Sequence, residues 1–193
     1  MANAAVKRGV CTWEDLLAIP EAERYHEVID GEIVRKAEPS FEHGDAQGAL
    51  TATLRPPFVR RPGGKWPGGW WLGTEIDIEF EPHQVYRPDV SGWRREKVPA
   101  RPTGVPVRVR PDWVLSPSNT RNDTIRKART YFRHQLPHYW IIDPMEQTLM
   151  VYRWTSEGYL VALQAERGER MRAEPFDAIE FAVGILFGDE PEE

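Results

Sequence analysis

Apolar residues recur along this chain with two periods, one helical and one of alternating strands. Thr12-Trp13-Glu14-Asp15 opens a short helix, with Thr12 placed to cap it and Asp15 favourable in its first turn. Leu16, Leu17 and Ile19 supply its apolar face and Pro20 ends it. Tyr25 to Ile29 and Glu32 to Lys36 are strand-like runs around Asp30-Gly31, a dipeptide that favours a tight hairpin turn. Ser40 to Leu54 has helical spacing, with Ala46, Leu50 and Leu54 on one stripe. Gly44 and Gly48 each weaken that helix by about 1 kcal/mol relative to alanine, and Pro56-Pro57 is expected to stop it. Residues 61–71, rich in Gly, Pro and Trp, read as a surface loop.

Thr74 to Phe80 alternates, with Glu75, Asp77 and Glu79 on one side and Ile76, Ile78 and Phe80 on the other. That pattern predicts one half-buried antiparallel strand with its acids in solvent. Tyr86 to Trp93 is expected to be the next strand, entered through Pro88-Asp89, and the basic, Pro-rich residues 94–106 to be a loop or a frayed helix. A helix is expected from about Asn122, with Ile125, Ala128 and Phe132 inward. Tyr139 to Ile142 reads as a buried strand turned by Asp143-Pro144. Leu149 to Trp154 and Tyr159 to Leu163 form a meander around Gly158, and Phe176 to Phe187 gives a last strand and a helical turn. No repeat or linker divides the chain. The order predicts one mixed α/β domain over residues 1–193, with its core at 12–187.

Composition narrows the function classes. A chain of 193 residues with 40% hydrophobic residues can bury a real core. No apolar run approaches the roughly 20 residues that span a bilayer. The single cysteine, Cys11, excludes an intrachain disulfide and, with no apolar signal core at the N-terminus, leads us to expect a cytoplasmic protein. A net charge of −5 argues against a protein that coats DNA nonspecifically. It does not argue against a nuclease, whose acidic site meets phosphate through a bound cation.

The chemistry concentrates between Arg87 and Arg133. Asp89, fixed behind Pro88 at a strand mouth, can hold Mg²⁺ through oxygen; an ordinary Pro-Asp turn is the plain alternative. Lys127 stands one helical turn beyond Asp123, as a surface ion pair or as the ammonium that positions water and steadies phosphate charge. His43, ahead of a helix, is either an exposed residue or one that aligns water. Ser116 lacks the Gly-x-Ser-x-Gly surroundings of a nucleophile. His134 and His138 are separated by Pro137, so no zinc pair is expected. Arg94, Arg95, Lys97 and Arg101, with Trp93 beside them, form either a solvated loop or a DNA-backbone contact.

Taken together, several motifs resemble the Uma2-like (DUF820) putative restriction endonucleases of the PD-(D/E)XK nuclease superfamily. They are His26-Glu27-Val28-Ile29-Asp30-Gly31-Glu32, a Ser and His43 ahead of a helix, and Arg87-Pro88-Asp89. Leu115-Ser116-Pro117-Ser118 with Asp123 and Lys127, then Tyr139-Trp140-Ile141-Ile142-Asp143-Pro144, complete the set. The resemblance implies a restriction-endonuclease-like mixed sheet flanked by helices and Mg²⁺-dependent cleavage of DNA. It implies a site of Asp89, Lys127, Glu27 and His43, with Asp89 and Glu27 as metal ligands, and is compatible with a homodimer.

One departure matters. The family pattern carries a Glu shortly before Leu-Ser-Pro-Ser, whereas Pro111-Asp112-Trp113-Val114 here runs straight into Leu115-Ser116. The apolar stretch from Trp113 to Leu115 covers only about 10 Å of strand, short for the middle of a sheet. Either the strand carries a genuine lesion, or its register shifts so that Asp112 substitutes, or the chain lacks a short piece. Two functions therefore stay open: an endonuclease weakened by a missing ligand, and a catalytically silent nuclease-fold protein that binds DNA or a partner.

Overall fold

The computed structural model describes residues 10–38, 40–117 and 121–190, without the side chains of 117 and 121–124. Ser118 of the Ser-Pro-Ser motif, the side chain of Asp123 and the last three acidic-tail residues lie outside it. Helix α1 (Trp13–Leu17) starts where Thr12 N donates to the Asp15 carboxylate over 2.9 Å. Strands β1 (His26–Ile29) and β2 (Glu32–Arg35) form the expected hairpin. Its turn residues, Asp30 (φ 51°) and Gly31 (φ 75°), take the left-handed conformations of a type I′ turn.

Helix α2 (Phe41–Phe58) is followed by β3 (Trp70–Thr74), β4 (Ile78–Glu81), β5 (Gln84–Tyr86), β6 (Val90–Arg94) and β7 (Trp113–Pro117). Helix α3 (Arg121–Arg133) leads to β8 (His138–Asp143), β9 (Thr148–Thr155) and β10 (Gly158–Glu166). A short pair, β11 (Arg170–Met171) with β12 (Phe181–Ala182), precedes a 3-10 turn at Val183–Phe187. Six strands form the main sheet in the order β10-β9-β8-β7-β6-β3, and four form a smaller one in the order β2-β1-β5-β4. Among the described residues, only β7 and β8 run parallel in the main sheet, with α3 as their crossover.

Alternation along the central strands divides the interior. Trp113, Leu115, Trp140 and Ile142 face α2 and the C-terminal segment, packing with Leu50, Leu54 and Phe58. Phe176 is the hub of that layer, in ring contact with Phe58, Trp70, Trp113 and Trp140. Val114, Tyr139 and Ile141 face the other way, toward Tyr131 of α3 and Ile29, Ile78 and Tyr86 of the small sheet. Helix α1 covers a third apolar group, Val28 and Val85.

Several expectations need correction. Pro56-Pro57 do not stop α2, which runs on to Phe58. The two missing amide donors cost ladder bonds, but Pro57 and Phe58 are buried against the core, and tertiary burial prevails. The strand expected from Thr74 to Phe80 is broken at Glu75, whose φ of 51° ends β3 and sends β4 into the other sheet. The strand expected from Tyr86 to Trp93 is likewise two strands, β5 and β6, split between the sheets at Arg87-Pro88-Asp89. Ile125 is 44% exposed rather than inward; the inner face of α3 presents Lys127, Thr130 and Tyr131. Strand β7 reaches five residues by drawing Ser116 and Pro117 into extended pairing with Ile141 and Ile142 of β8.

His138, at the start of β8, gives a prediction for stability. Burial holds its imidazole down to about 4, assisted by the positive charges of Arg94 and Arg153. A histidine whose folded pKa lies below its unfolded value of about 6.5 favours folding only while neutral. Its contribution is therefore complete above about pH 6.5 and is lost as pH falls toward 4, on the order of 3 kcal/mol. Chemical denaturation of wild type and His138→Phe should show a smaller loss between pH 7 and about 4.5 in the variant; equal losses would remove His138 as the cause.

Candidate active site

Asp89 is the fixed point of the site. Its carbonyl accepts hydrogen bonds from Glu75 N (3.1 Å) and Gln47 Nε2 (2.7 Å), and its amide donates to Leu115 O (3.1 Å). Three segments thus hold one backbone unit where β6 begins. The Asp89 side chain is 3% exposed, with Lys36 Nζ 3.1 Å and His43 Nε2 3.4 Å from Oδ1.

The partners arrive for local reasons. Ser40 caps α2 by accepting the amide of His43 (3.3 Å), which sets His43 in the first turn. Gln47 follows one turn later on the same face. Lys36 continues the hairpin, its amide bonded to Tyr25 O (2.9 Å), and alternation through Val34 turns its side chain inward. Glu75 occupies the kink after β3, and its two carboxylate oxygens lie 3.1 and 2.9 Å from Lys36 Nζ. The Lys36 ammonium also stands 5.4 Å from the centre of the Tyr25 ring.

Donor atoms of His43, Glu75 and Asp89 all lie within 4.8 Å of one another. Their electrostatics suit a cation site. Burial raises the Glu75 carboxyl above its ordinary range, against the pull of Lys36. Burial also opposes the charge on Lys36, yet Asp89 and Glu75 together raise its pKa. The hydrogen bond to Asp89 raises the pKa of His43. A cavity of about 590 Å³ opens beside this group, lined among others by His43, Gln47, Asp89, Leu115, Ile142 and Phe187.

The four residues expected at the site are divided between two places. His43 and Asp89 meet as expected. Glu27 and Lys127 instead face each other, with Nζ 2.5 Å from Oε2, between α3 and β1. Both are buried, and the second oxygen of Glu27 accepts the amide of Arg87 (2.7 Å), which anchors the turn leading to Asp89. The ammonium at Asp89 is that of Lys36, and the second carboxylate is that of Glu75. The acids of the supposed solvent face are engaged elsewhere too: Asp77 holds Arg87 (2.7 Å), and Glu79 holds Arg108 (3.1 Å). Asp112 does not substitute for the missing acid. It lies at the opposite end of β6, bonded to the Arg94 amide (2.8 Å) and to Lys97. Strand β7 presents Leu115 to the cavity, in register with Val90.

Residues 13–184 match the family described as Uma2, putative restriction endonuclease. The chain belongs to the Uma2 family. A crystal structure of a putative nuclease belonging to DUF820, from Anabaena variabilis ATCC 29413, has a similar fold, with a TM-score of 0.65 at 21% identity. The similarity covers 91% of this chain and 97% of that one. No curated protein matches the chain. Uma2 membership and this nuclease-like fold agree with the α/β architecture, a mixed sheet flanked by helices. Among the described residues no helix is long and apolar enough to cross a membrane.

Proposed function

We propose that this Uma2 chain is a divalent-ion-dependent DNA endonuclease whose ion is held by Asp89, Glu75 and His43. The observation that carries this reading is the convergence of those three donors, with Lys36, beside one cavity. Two carboxylates suit hard, oxygen-preferring ions, and one imidazole is compatible with Mg²⁺ or Mn²⁺. When bound, such an ion supplies Lewis acidity and a water that loses its proton near neutral pH. Asp89 is held on three sides and so fixes the geometry. Gln47 keeps its carbonyl oriented, and Lys36 offers an ammonium to a non-bridging phosphate oxygen. Nicking of DNA by such a site needs only one copy of the chain; a homodimer would serve a cut in both strands.

Leu115 supports a second reading. An apolar side chain stands on the cavity wall where strand β7 would otherwise bring an acid, which favours a weak or silent nuclease that still binds DNA. One experiment separates the two. Plasmid nicking is measured with Mg²⁺, Mn²⁺ or EDTA for wild type, Asp89→Asn and Leu115→Glu. We expect slow ion-dependent nicking by wild type and none by Asp89→Asn. Leu115→Glu is expected to raise the rate by about tenfold or more. Absence of ion-dependent nicking in both wild type and a folded Leu115→Glu would leave the silent reading in place.

A further inference from the structure

We infer that a groove at the far end of β3 and β6 binds the phosphate backbone of DNA leading away from the cleavage site. The identity of the polyanion rests on the nuclease reading above; the groove itself rests on other residues. Its volume is about 570 Å³, and Arg61, Gly68, Trp70, Trp71, Arg94 and Arg95 line it.

The groove is built rather than incidental. The Arg95 guanidinium lies 3.6 Å from the Trp71 ring centre and that of Arg94 4.8 Å from Trp70. Arg95 Nε also donates to Trp70 O (3.1 Å). A guanidinium stacked on a ring keeps its charge and its forked donors while giving up rotamer freedom in advance, which favours recognition of a planar or tetrahedral oxyanion. Arg61 lines the same groove from the loop that returns from α2. That loop is closed by Gly69 N to Arg60 O (2.7 Å) and Gly68 N to Pro57 O (3.0 Å). Gly68 is required there: at φ 63°, a Cβ would stand 2.7 Å from Arg61 O and 2.8 Å from Arg60 O.

Charge selects the partner. The whole chain carries −5, yet the groove presents three arginines against the single acid Glu96, with Arg60 and Lys65 in the same loop. Among the described residues, no carboxylate forms an ion pair with Arg61, Arg94 or Arg95. Cationic forks left without acids on an acidic protein suit phosphate. Position ties the groove to the site. Thr74 pairs with Val90 at the Asp89 end of the two strands, and Trp70 pairs with Arg94 at the other. The four residue steps between these pairs span about 13 Å at about 3.3 Å per residue, the reach of about four nucleotides at about 3.4 Å each. Strand β3 is the edge of the main sheet, so the path between the two runs along an open side.

The test is binding of a fluorescently labelled DNA duplex in EDTA, followed by anisotropy over a range of salt concentrations. The proteins are wild type, Arg61→Gln, and the triple Arg61→Gln/Arg94→Gln/Arg95→Gln. We expect the triple variant to bind at least about tenfold more weakly, with the slope of log affinity against log salt reduced by about 2 to 3. Arg61→Gln alone removes an exposed side chain and should reduce the slope by about 1, a result that does not depend on the triple variant folding. Wild-type affinity and slope in Arg61→Gln and in a folded triple variant would overturn the inference. So would polyglutamate binding to wild type as tightly as DNA with the same arginine dependence, which would indicate an acidic protein partner. Because EDTA prevents cleavage, the two readings fail separately. Lost binding in the variants, with no nicking by wild type or by a folded Leu115→Glu, removes the nuclease and leaves the groove. Unchanged binding with Asp89-dependent nicking does the reverse.

Discussion

Lys36→Met is expected to lower stability by about 3 kcal/mol in EDTA and to recover much of that loss when Mn²⁺ or Mg²⁺ is added. The Lys36 ammonium lies between two carboxylates, 3.1 Å from Asp89 and 2.9 Å from Glu75, and its side chain is only 6% exposed. Removing it leaves Asp89 buried beside Glu75 with no fixed lysine cation, the situation in which breaking a buried pair costs most. Glu75 is a third exposed, which places the cost at the lower end of the range. For a chain of this length the midpoint of thermal unfolding should fall by roughly 6–12 °C. A divalent ion at the same carboxylates replaces the lost charge and stabilises by mass action. The ion-induced rise in midpoint should therefore be larger in Lys36→Met than in wild type, where ion and ammonium share the same oxygens. Equal rises in the two proteins would mean that the ion binds elsewhere, or nowhere.

The second large effect distinguishes two buried glutamates. Glu75→Gln is expected to weaken Mn²⁺ binding by about a hundredfold or more by calorimetry, because it removes a direct oxygen ligand. Glu27→Gln should leave ion affinity within a few-fold of wild type. It should lower stability by roughly 1–3 kcal/mol, since the buried Lys127 ammonium would lose the carboxylate it meets on β1. If Glu27→Gln abolished ion binding and Glu75→Gln spared it, the site would have to be redrawn around β1.

Much of the fold was legible from the residues because its signals are local. Asp30-Gly31 specifies the hairpin through backbone conformation alone. The stripe of Ala46, Leu50 and Leu54 specifies the buried face of α2, and the run Tyr139 to Ile142 specifies a strand covered on both sides. The breaks were not legible, because they are settled by tertiary contacts. Glu75 takes a left-handed conformation that no side chain of its kind advertises, so alternation from Thr74 to Phe80 suggested one strand where two sheets part.

The site shows the same division. Asp89 and His43 could be found from Pro88 and from the helix start that Ser40 caps. Lys36 carried a usable signal, since the alternation that buries Val34 also turns Lys36 inward; its mate Arg35 drew no attention to it. Glu75 carried none, and the neat acid face it shares with Asp77 and Glu79 pointed toward solvent. Lys127 was read from its spacing to Asp123 along the helix, but a burial of 93% and a partner on β1 were set by how α3 meets the small sheet.

The inward side of α3 has a consequence of its own. Where a greasy helix could slide by a turn with little penalty, this one carries an ammonium, a hydroxyl and a phenol toward β1 and β5. Thr130 Oγ1 lies 2.9 Å from the hydroxyl of Tyr86, and Lys127 meets Glu27. A shift of one turn would strand a charge among aromatic rings. The helix is thereby indexed to a single position, as a key is by its notches, and Glu27 passes that setting to the amide of Arg87, two residues ahead of Asp89.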